Sequence, residues 1–141
     1  VLLLCLASAC TDVRTFEGTW QGPRVGSAAP LDVGVAGSAN ATLAIDKLDN
    51  HGISGRLSVD GLVLDAPYAS VPGAEADALA GMTFDGSPSR VYLAFVDITD
   101  GGGEALALIA LYDDKRVEVR VIRGGAQPLY GIFALARAEN P

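Results

Sequence analysis

Residues 90–123, RVYLAFVDITDGGGEALALIALYDDKRVEVRVIR, are the stretch that decides the fold class of this chain. Three apolar runs within it are separated by short turn sequences rich in Asp and Gly: 90–98, 104–112 and 116–122. In the last run Val117, Val119 and Val121 recur with the period of two that is typical of a β-strand. Turns this short join antiparallel neighbours, so the stretch predicts an antiparallel meander.

Similar runs predict strands through the rest of the chain: 13–21, 31–35, 41–46, 53–59, 62–64, 79–84 and 129–137. Gly22 and Pro23 are expected to end the first of these strands. The sequence Asp-Asn-His-Gly at 49–52 predicts a tight hairpin turn, because Asn and Gly tolerate positive φ. Residues 65–77 are rich in Pro and Gly and predict a loop, with at most a short helix at 74–80.

The number and spacing of these runs predict an all-β fold with about eight to ten strands in an antiparallel up-and-down meander. An open meander would leave two unpaired edges, and closing it into a small barrel removes them. We therefore expect a barrel, with a β-sandwich as the alternative.

Length, composition and charge limit the classes of protein to which this chain can belong. The 141 residues are 50% hydrophobic and 19% charged, which is enough apolar material for one domain with a packed core. Aromatic residues are only 6%, so the core is expected to consist of small and branched side chains. The net charge of −7 opposes contact with phosphate backbones, so no nucleic-acid partner is expected.

The first ten residues, VLLLCLASAC, indicate an exported protein. Residues 1–6 resemble the remnant of the apolar region of a signal peptide, and they are too few to span a membrane. The predicted organisation is a signal peptide remnant at 1–9 and a single β-barrel domain at 10–141.

Leu6-Ala7-Ser8-Ala9-Cys10 resembles the lipobox of bacterial lipoproteins, although that family usually has Leu three places before the Cys and Ala7 stands there. The resemblance implies lipidation of Cys10 and a lipid anchor in a membrane; the alternative is an ordinary signal peptide cleaved before an unmodified Cys10. Cys5 leaves with the signal peptide, so no intramolecular disulfide is expected. In bacterial lipoproteins an Asp after the Cys retains the protein at the inner membrane; by this resemblance Thr11 leaves the outer membrane of the cell envelope open as the destination, and the alternative is a periplasmic or secreted protein.

Phe16-Glu17-Gly18-Thr19-Trp20 resembles the G-x-W motif on the first strand of lipocalins, avidins and related calycin-type barrels. In that family an Arg or Lys from the last strand packs over the indole and closes one end of the barrel. The resemblance implies this structural role for Trp20 and Arg137, through a cation–π contact. Trp20 is the only tryptophan, so the several binding-site tryptophans of avidins are absent.

The sequence offers no set of residues for catalysis, and we expect no enzyme, no metal site and no cofactor. His51 is the only histidine, and it lies in a predicted turn, where catalytic geometry is poorly fixed. Without further Cys or His the usual zinc ligands are missing. Arg116, Glu118 and Arg120 share one face of a predicted strand, which we interpret as a solvated face, with a docking patch for an acidic partner as the alternative.

Two functions remain. The first is an envelope lipoprotein of structural or interaction type, which contacts another envelope protein through its surface. The alternative is lipocalin-like binding of a small apolar ligand inside the barrel, suggested by strands that are apolar on both faces at 91–98 and 105–112. A packed interior with an exposed apolar patch would favour the first.

Overall fold

The computed structural model describes residues 12–26, 40–59, 61–65, 67–80, 83–84, 86–98, 103–124 and 129–139. The strands are β1 Gly18–Gly26, β2 Asn40–Leu48, β3 Gly52–Val59, β4 Leu62–Leu64, β5 Tyr68–Val71, β6 Arg90–Ile98, β7 Gly103–Leu111, β8 Val117–Arg123 and β9 Leu129–Arg137. A 3-10 helix at Val13–Phe16 precedes β1, and one α-helix, α1 Gly73–Ala80, follows β5. Neither helix is long and apolar enough to cross a membrane, within the residues that the structure describes.

The strands form a closed antiparallel barrel of eight strands, with β4 as one extra strand. Consecutive hairpins build the wall from β6 to β9, and β9 pairs with β1. β1 also pairs with β2, and β2 pairs with β3. β5 completes the ring by pairing with both β3 and β6. The prediction of an all-β meander closed into a barrel is confirmed, and the sandwich alternative is wrong.

The interior is a single apolar cluster made by alternate residues of the strands. Each strand buries the residues that point inward, as the period of two requires. The cluster combines large side chains with alanine and valine: Trp20, Ala41, Leu43, Ile45, Ile53, Leu57, Val59, Leu64, Tyr68, Tyr92, Ala94, Ala105, Ala107, Ile109, Leu111, Val117, Val119, Val121, Phe133 and Leu135. These side chains are almost completely buried, so they fill the space that the strands enclose.

Two buried phenols tie the wall together. The Tyr68 hydroxyl donates to the carbonyl oxygen of Leu64 at 2.9 Å, and the Tyr92 hydroxyl donates to that of Asp49 at 3.1 Å. Burial raises the pKa of both phenols above the usual value near 10, and it also raises the pKa of Tyr130. The folded protein therefore holds these protons at a pH at which the unfolded chain releases them.

We expect the free energy of unfolding to fall as the pH rises above about 10. This stability is complete below pH 10, and each fully shifted tyrosine lowers it by up to about 1.4 kcal/mol for every further pH unit. Urea unfolding at pH 8, 10 and 11 measures the effect. The Tyr68→Phe variant should lose less stability over this range; an equal loss in both proteins would assign the effect to other groups.

The start of the barrel differs from the prediction of a strand at 13–21. Residues 13–16 form the 3-10 helix, because the Asp12 side chain accepts a hydrogen bond from the Arg14 amide at 3.1 Å and caps it. The expected end at Gly22 and Pro23 is also wrong, since β1 continues to Gly26. Pro23 occupies the last pair of the β1–β2 ladder, an end position at which a proline is tolerated.

Three further predictions concern short segments. Residues 68–71 form β5 although a loop was expected, because pairing with both β3 and β6 stabilises a strand only four residues long. The strand expected at 79–84 is wrong: α1 extends to Ala80, and residues 83–84 have no regular structure. The short helix expected at 74–80 is confirmed. The strand expected at 31–35 lies outside the described residues.

Candidate functional site

At one end of the barrel the side chains of Trp20 and Arg137, which the sequence predicts to close it, face each other in the β1–β9 ladder. The guanidinium carbon lies 4.9 Å from the centre of the indole. Arg137 also donates to two carbonyl oxygens around the 3-10 helix, to Glu17 at 3.0 Å and to Thr15. We call this end of the barrel the closed end and the opposite one the far end.

Gly18 gives a physical reason for the glycine of the G-x-W motif. Its φ of +124° is strained for other residues, and a Cβ there would lie 2.7 Å from Nη1 of Arg137. The indole is fixed from the other side by Phe16, whose ring centre is 5.8 Å away and whose carbonyl accepts from Nε1 at 2.7 Å. Arg137 is thus a positioned structural group, with its hydrogen bonds directed to the backbone.

The outer wall of the barrel is apolar over β6, β7 and β8. The ladders place the outward residues in rows across these strands, and the first row is Phe95, Leu106 and Ile122. The next row is Leu93, Leu108 and Arg120. Leu108 is completely buried although it points away from the interior, so another part of the chain covers this face.

The cover is made by the described residues between β5 and β6, 72–80, 83–84 and 86–89, which we call the strap. Its apolar contacts come from Ala76 of α1 and from Phe84, which pack with Val91, Leu108 and Ala110. The Asp77 carboxylate accepts from the Phe84 amide at 3.0 Å and so joins the helix to the rest of the strap.

Arg120 fastens the strap to the wall. Its side chain is 2% exposed, and its Nε lies 2.7 Å from a carboxylate oxygen of Glu118. Its guanidinium carbon is 3.9 Å from the centre of the Phe84 ring, and Nη2 donates to the Thr83 carbonyl at 3.1 Å. The expectation that Arg116, Glu118 and Arg120 form a solvated face is wrong for Arg120, because the strap covers it.

Beside the strap lies an open groove of about 440 Å³, which we call the outer groove. It is bordered by the end of α1 and by the far ends of β6, β7 and β8: Leu79, Phe95, Gly103, Glu104, Ala105, Leu106, Ile122 and Gly124. Phe95 is 63% exposed and Leu79 is 47% exposed. Large apolar side chains with this exposure, grouped around one concavity, are the feature that marks interaction sites.

The residues considered for chemistry lie elsewhere. His51 is exposed in the turn between β2 and β3. The Asp49 carboxylate accepts from the amides of His51 at 2.8 Å and Gly52 at 3.1 Å, and these hydrogen bonds lower its pKa. This carboxylate shapes the turn. Within the described ranges, no three His, Cys, Asp or Glu side chains are grouped so that they could hold a metal ion.

Cys10 lies outside the described residues, so its lipidation stays a prediction. The described chain begins two residues later at Asp12, which caps the 3-10 helix at the closed end.

No family model matches the chain, and no curated protein matches it. One solved structure is similar, that of a mutant of the fluorescent protein UnaG, at 19% sequence identity and a TM-score of 0.37. The alignment covers 91% of this chain and 99% of the other. A similarity at this level carries no argument about function.

Sequence reasoning missed the outer groove, although its signal is present. The strands at 91–98 and 105–112 are apolar on both faces, a pattern that by itself suggests a ligand inside the barrel. The structure gives a different reason, because the second apolar face lies under the strap and Phe95 extends beyond the strap's edge. The pattern indicated a second apolar contact surface on the outside of the wall.

Proposed function

We propose that the protein is a lipid-anchored envelope lipoprotein that acts as an interaction module, with the outer groove as its contact surface. The observation that carries this proposal is the exposed phenyl ring of Phe95 beside Leu79, on a barrel whose inward side chains are buried against one another. A small ligand inside the barrel would have to displace those side chains, whereas the outer groove is already open.

The partner that fits the outer groove is a protein segment that presents an apolar side chain next to Lys or Arg. The apolar row of Phe95, Leu106 and Ile122 supplies the contact for the apolar side chain. Glu104 lies exposed at the border of the groove, and the whole chain carries a net charge of −7. Both favour a partner with basic residues around its apolar anchor.

Crosslinking followed by binding measurements tests the contact surface. A photoreactive phenylalanine analogue at position 95 should capture one partner in the bacterial envelope, and the same analogue at Val25 should not. Val25 is a matched control because it is 61% exposed on β1, away from the groove. With the identified partner purified, Phe95→Ser should weaken binding at least tenfold, about 1.4 kcal/mol, and Val25→Ser should leave it unchanged.

Two results would overturn this contact surface. One is equal capture from positions 95 and 25, which would mean unspecific collision. The other is a small molecule that native mass spectrometry finds bound to the purified protein and that leaves on denaturation, which would favour the ligand alternative.

The anchor has its own test. The N-terminal peptide of the protein made in a bacterial envelope should begin at Cys10 and carry the mass of a diacylglycerol on its thiol. The Cys10→Ser variant should leave the membrane fraction. An unmodified Cys10 at the mature N-terminus would refute lipid anchoring and leave an exported, soluble module.

A further inference from the structure

The barrel wall is incompletely paired on one side of β6. The ladder between β5 and β6 has only three pairs: Ala69–Leu93, Ser70–Tyr92 and Val71–Val91. β6 continues to Ile98, and on the side away from β7 no described segment pairs with residues 94–98. This free edge is about 16 Å long at about 3.3 Å per residue. We call the opening beside it the split.

The backbone of Phe95 faces the split. The Gly124 amide donates to the Glu104 carbonyl oxygen at 3.0 Å, so the polar backbone groups of Glu104 face β8. Successive residues of a strand alternate, so those of Ala105 face β6 and bond its ladder partner Val96. The N–H and C=O of Phe95, one residue earlier in β6, therefore point out of the β6–β7 ladder and into the split.

Pro67 explains why the β5–β6 ladder stops. The Ser70 amide donates to the His51 carbonyl oxygen at 2.9 Å, so Ser70 faces β3. By alternation Ala69 and Pro67 face β6, where Ala69 still has its partner. Pro67 is the next residue that would bond, opposite Phe95, and its nitrogen carries no hydrogen. The carbonyl oxygen of Phe95 therefore receives no donor from this strand.

The opposite rim of the split runs from Pro67 back to β4. Leu64 pairs with Leu57, and four residues along on each strand Tyr68 pairs with Ile53. β4 and β5 thus keep one register along β3, and the alternation holds across the interruption between them. The N–H and C=O of Val63 accordingly point away from β3, toward the side of β6.

Apolar side chains line the split on both faces of the wall. Among the described strand residues, Leu62 and Val96 are the core side chains that are partly rather than fully buried, and they belong to opposite rims. On the outer face Phe95 is 63% exposed and Val63 is 50% exposed. The split therefore combines free backbone donors and acceptors with apolar surface that the barrel itself leaves half covered.

We propose that the split binds an extended segment of a partner protein as an added β-strand. The segment donates to the carbonyl oxygen of Phe95, which supplies the donor that Pro67 lacks, and it accepts from the Phe95 amide. An inward apolar side chain of the segment covers Val96 and Leu62, and an outward one lies between Phe95 and Val63. This site requires neither the lipid anchor nor the outer groove.

A single extended chain fits the split better than a second copy of the barrel does. Each free edge of the wall faces the other rim of its own barrel, whereas a separate segment has two free edges and can bond Phe95 on one side and Val63 on the other. Charge does not select the partner, because Arg56 and Asp65, beside the split, pair with each other at 2.7 Å. The segment is therefore recognised by its backbone and by apolar side chains at alternate positions.

Amide hydrogen exchange in the free protein tests the split itself. The Phe95 amide should exchange at least tenfold faster than the amides of Ala94 and Val96, which face β7. Protection of Phe95 equal to that of its neighbours would mean that the edge is already paired, and would overturn the proposal.

A phage-displayed library of random twelve-residue peptides is the binding probe. Selection on the protein should yield sequences with apolar residues at alternate positions. A synthetic copy should slow exchange of the Phe95 and Val63 amides at least tenfold, and methylation of a central backbone amide of the peptide should weaken its binding at least tenfold. A selection without binders, or a peptide that keeps its affinity when each central amide is methylated in turn, would refute strand addition.

Val63→Pro is the matched test in the protein. The Val63 amide does not bond β3, so proline removes a donor of the split and spares the β3–β4 ladder. It should weaken the peptide at least tenfold, whereas Val63→Thr, which keeps the amide and the side-chain shape, should change the affinity less than threefold. Equal affinities would contradict insertion between two rims. The methylated peptide decides the question if Val63→Pro does not fold.

Two controls separate the split from other contacts. Leu79 borders the outer groove, and Leu79→Ser should leave peptide binding unchanged. Loss of binding in Leu79→Ser but not in Val63→Pro would place the peptide in the groove and reject the split. In sedimentation without peptide, a dimer with a protected Phe95 amide would make a second copy the occupant and also reject the proposal. Failure to capture an envelope partner from position 95 would reject the proposed contact surface and leave these peptide measurements unaffected.

Discussion

The Gly55→Ala variant is expected to lose about 3 kcal/mol of its free energy of unfolding, although it adds only a single methyl group. Gly55 faces inward on β3, opposite Ile45, where the register of β2 shifts. A Cβ at this position would lie 2.0 Å from the carbonyl oxygen of Ala44. The neighbour is backbone inside two ladders, so neither side can move without breaking strand pairs.

The opposing effect of the substitution is smaller. Replacing glycine by alanine restricts the unfolded chain and stabilises a protein by about 0.4–1 kcal/mol where the folded backbone tolerates it. Gly124→Ala measures this term alone, because Gly124 is exposed and has free space around it. Urea unfolding of both variants should give opposite signs. If Gly55→Ala unfolds at the same urea concentration as Gly124→Ala, the register shift in β2 absorbs the methyl group and the expectation is wrong.

The Arg120→Ala variant is expected to lose about 3–5 kcal/mol, because it leaves the carboxylate of Glu118 in a mostly buried site without its partner. The same change removes the cation–π contact with Phe84 and the hydrogen bond to the Thr83 carbonyl. The strap should therefore loosen before the barrel unfolds, which limited proteolysis within residues 72–89 would detect.

Arg56 provides the control for this prediction. Its Nη2 lies 2.7 Å from the Asp65 carboxylate, the same distance as in the Arg120 pair, but both partners are more than half exposed. Arg56→Ala should leave the urea midpoint almost unchanged, because water screens an exposed ion pair, so the two variants separate the effect of burial from that of distance. The double variant Arg120→Met, Glu118→Leu should recover most of the loss, since it leaves no unpaired buried charge. A loss of under 1 kcal/mol in Arg120→Ala would contradict the role of Arg120 in fastening the strap to the barrel wall.

The parts of the fold that sequence predicts correctly are those that neighbouring residues determine. The strands at 90–98 and 129–137 have the predicted bounds, because turn residues flank runs with a clear period. β5 could not be predicted, since its four residues are stabilised by strands distant in the sequence. The local signals of two flanking prolines favoured a loop there.

The same distinction between local and long-range determinants applies to the candidate site. Trp20 and Arg137 can be named from a short motif and a strand phase, whereas the burial of Arg120 depends on where Phe84 lands, 36 residues earlier in the chain. The exposure of Phe95 likewise depends on how much of the outer wall the strap covers. Both are outcomes of packing between distant segments, which a single sequence does not report.

The ladder between β1 and β9 also sets the order in which the wall forms during synthesis. The hairpins from β6 to β9 pair sequence neighbours, but Trp20 must wait for Arg137, more than a hundred residues later. At about 5–20 residues per second, β1 spends roughly 10 s on the ribosome with one edge unpaired. In that interval the indole of Trp20 is exposed to chaperones and to contacts with non-native partners.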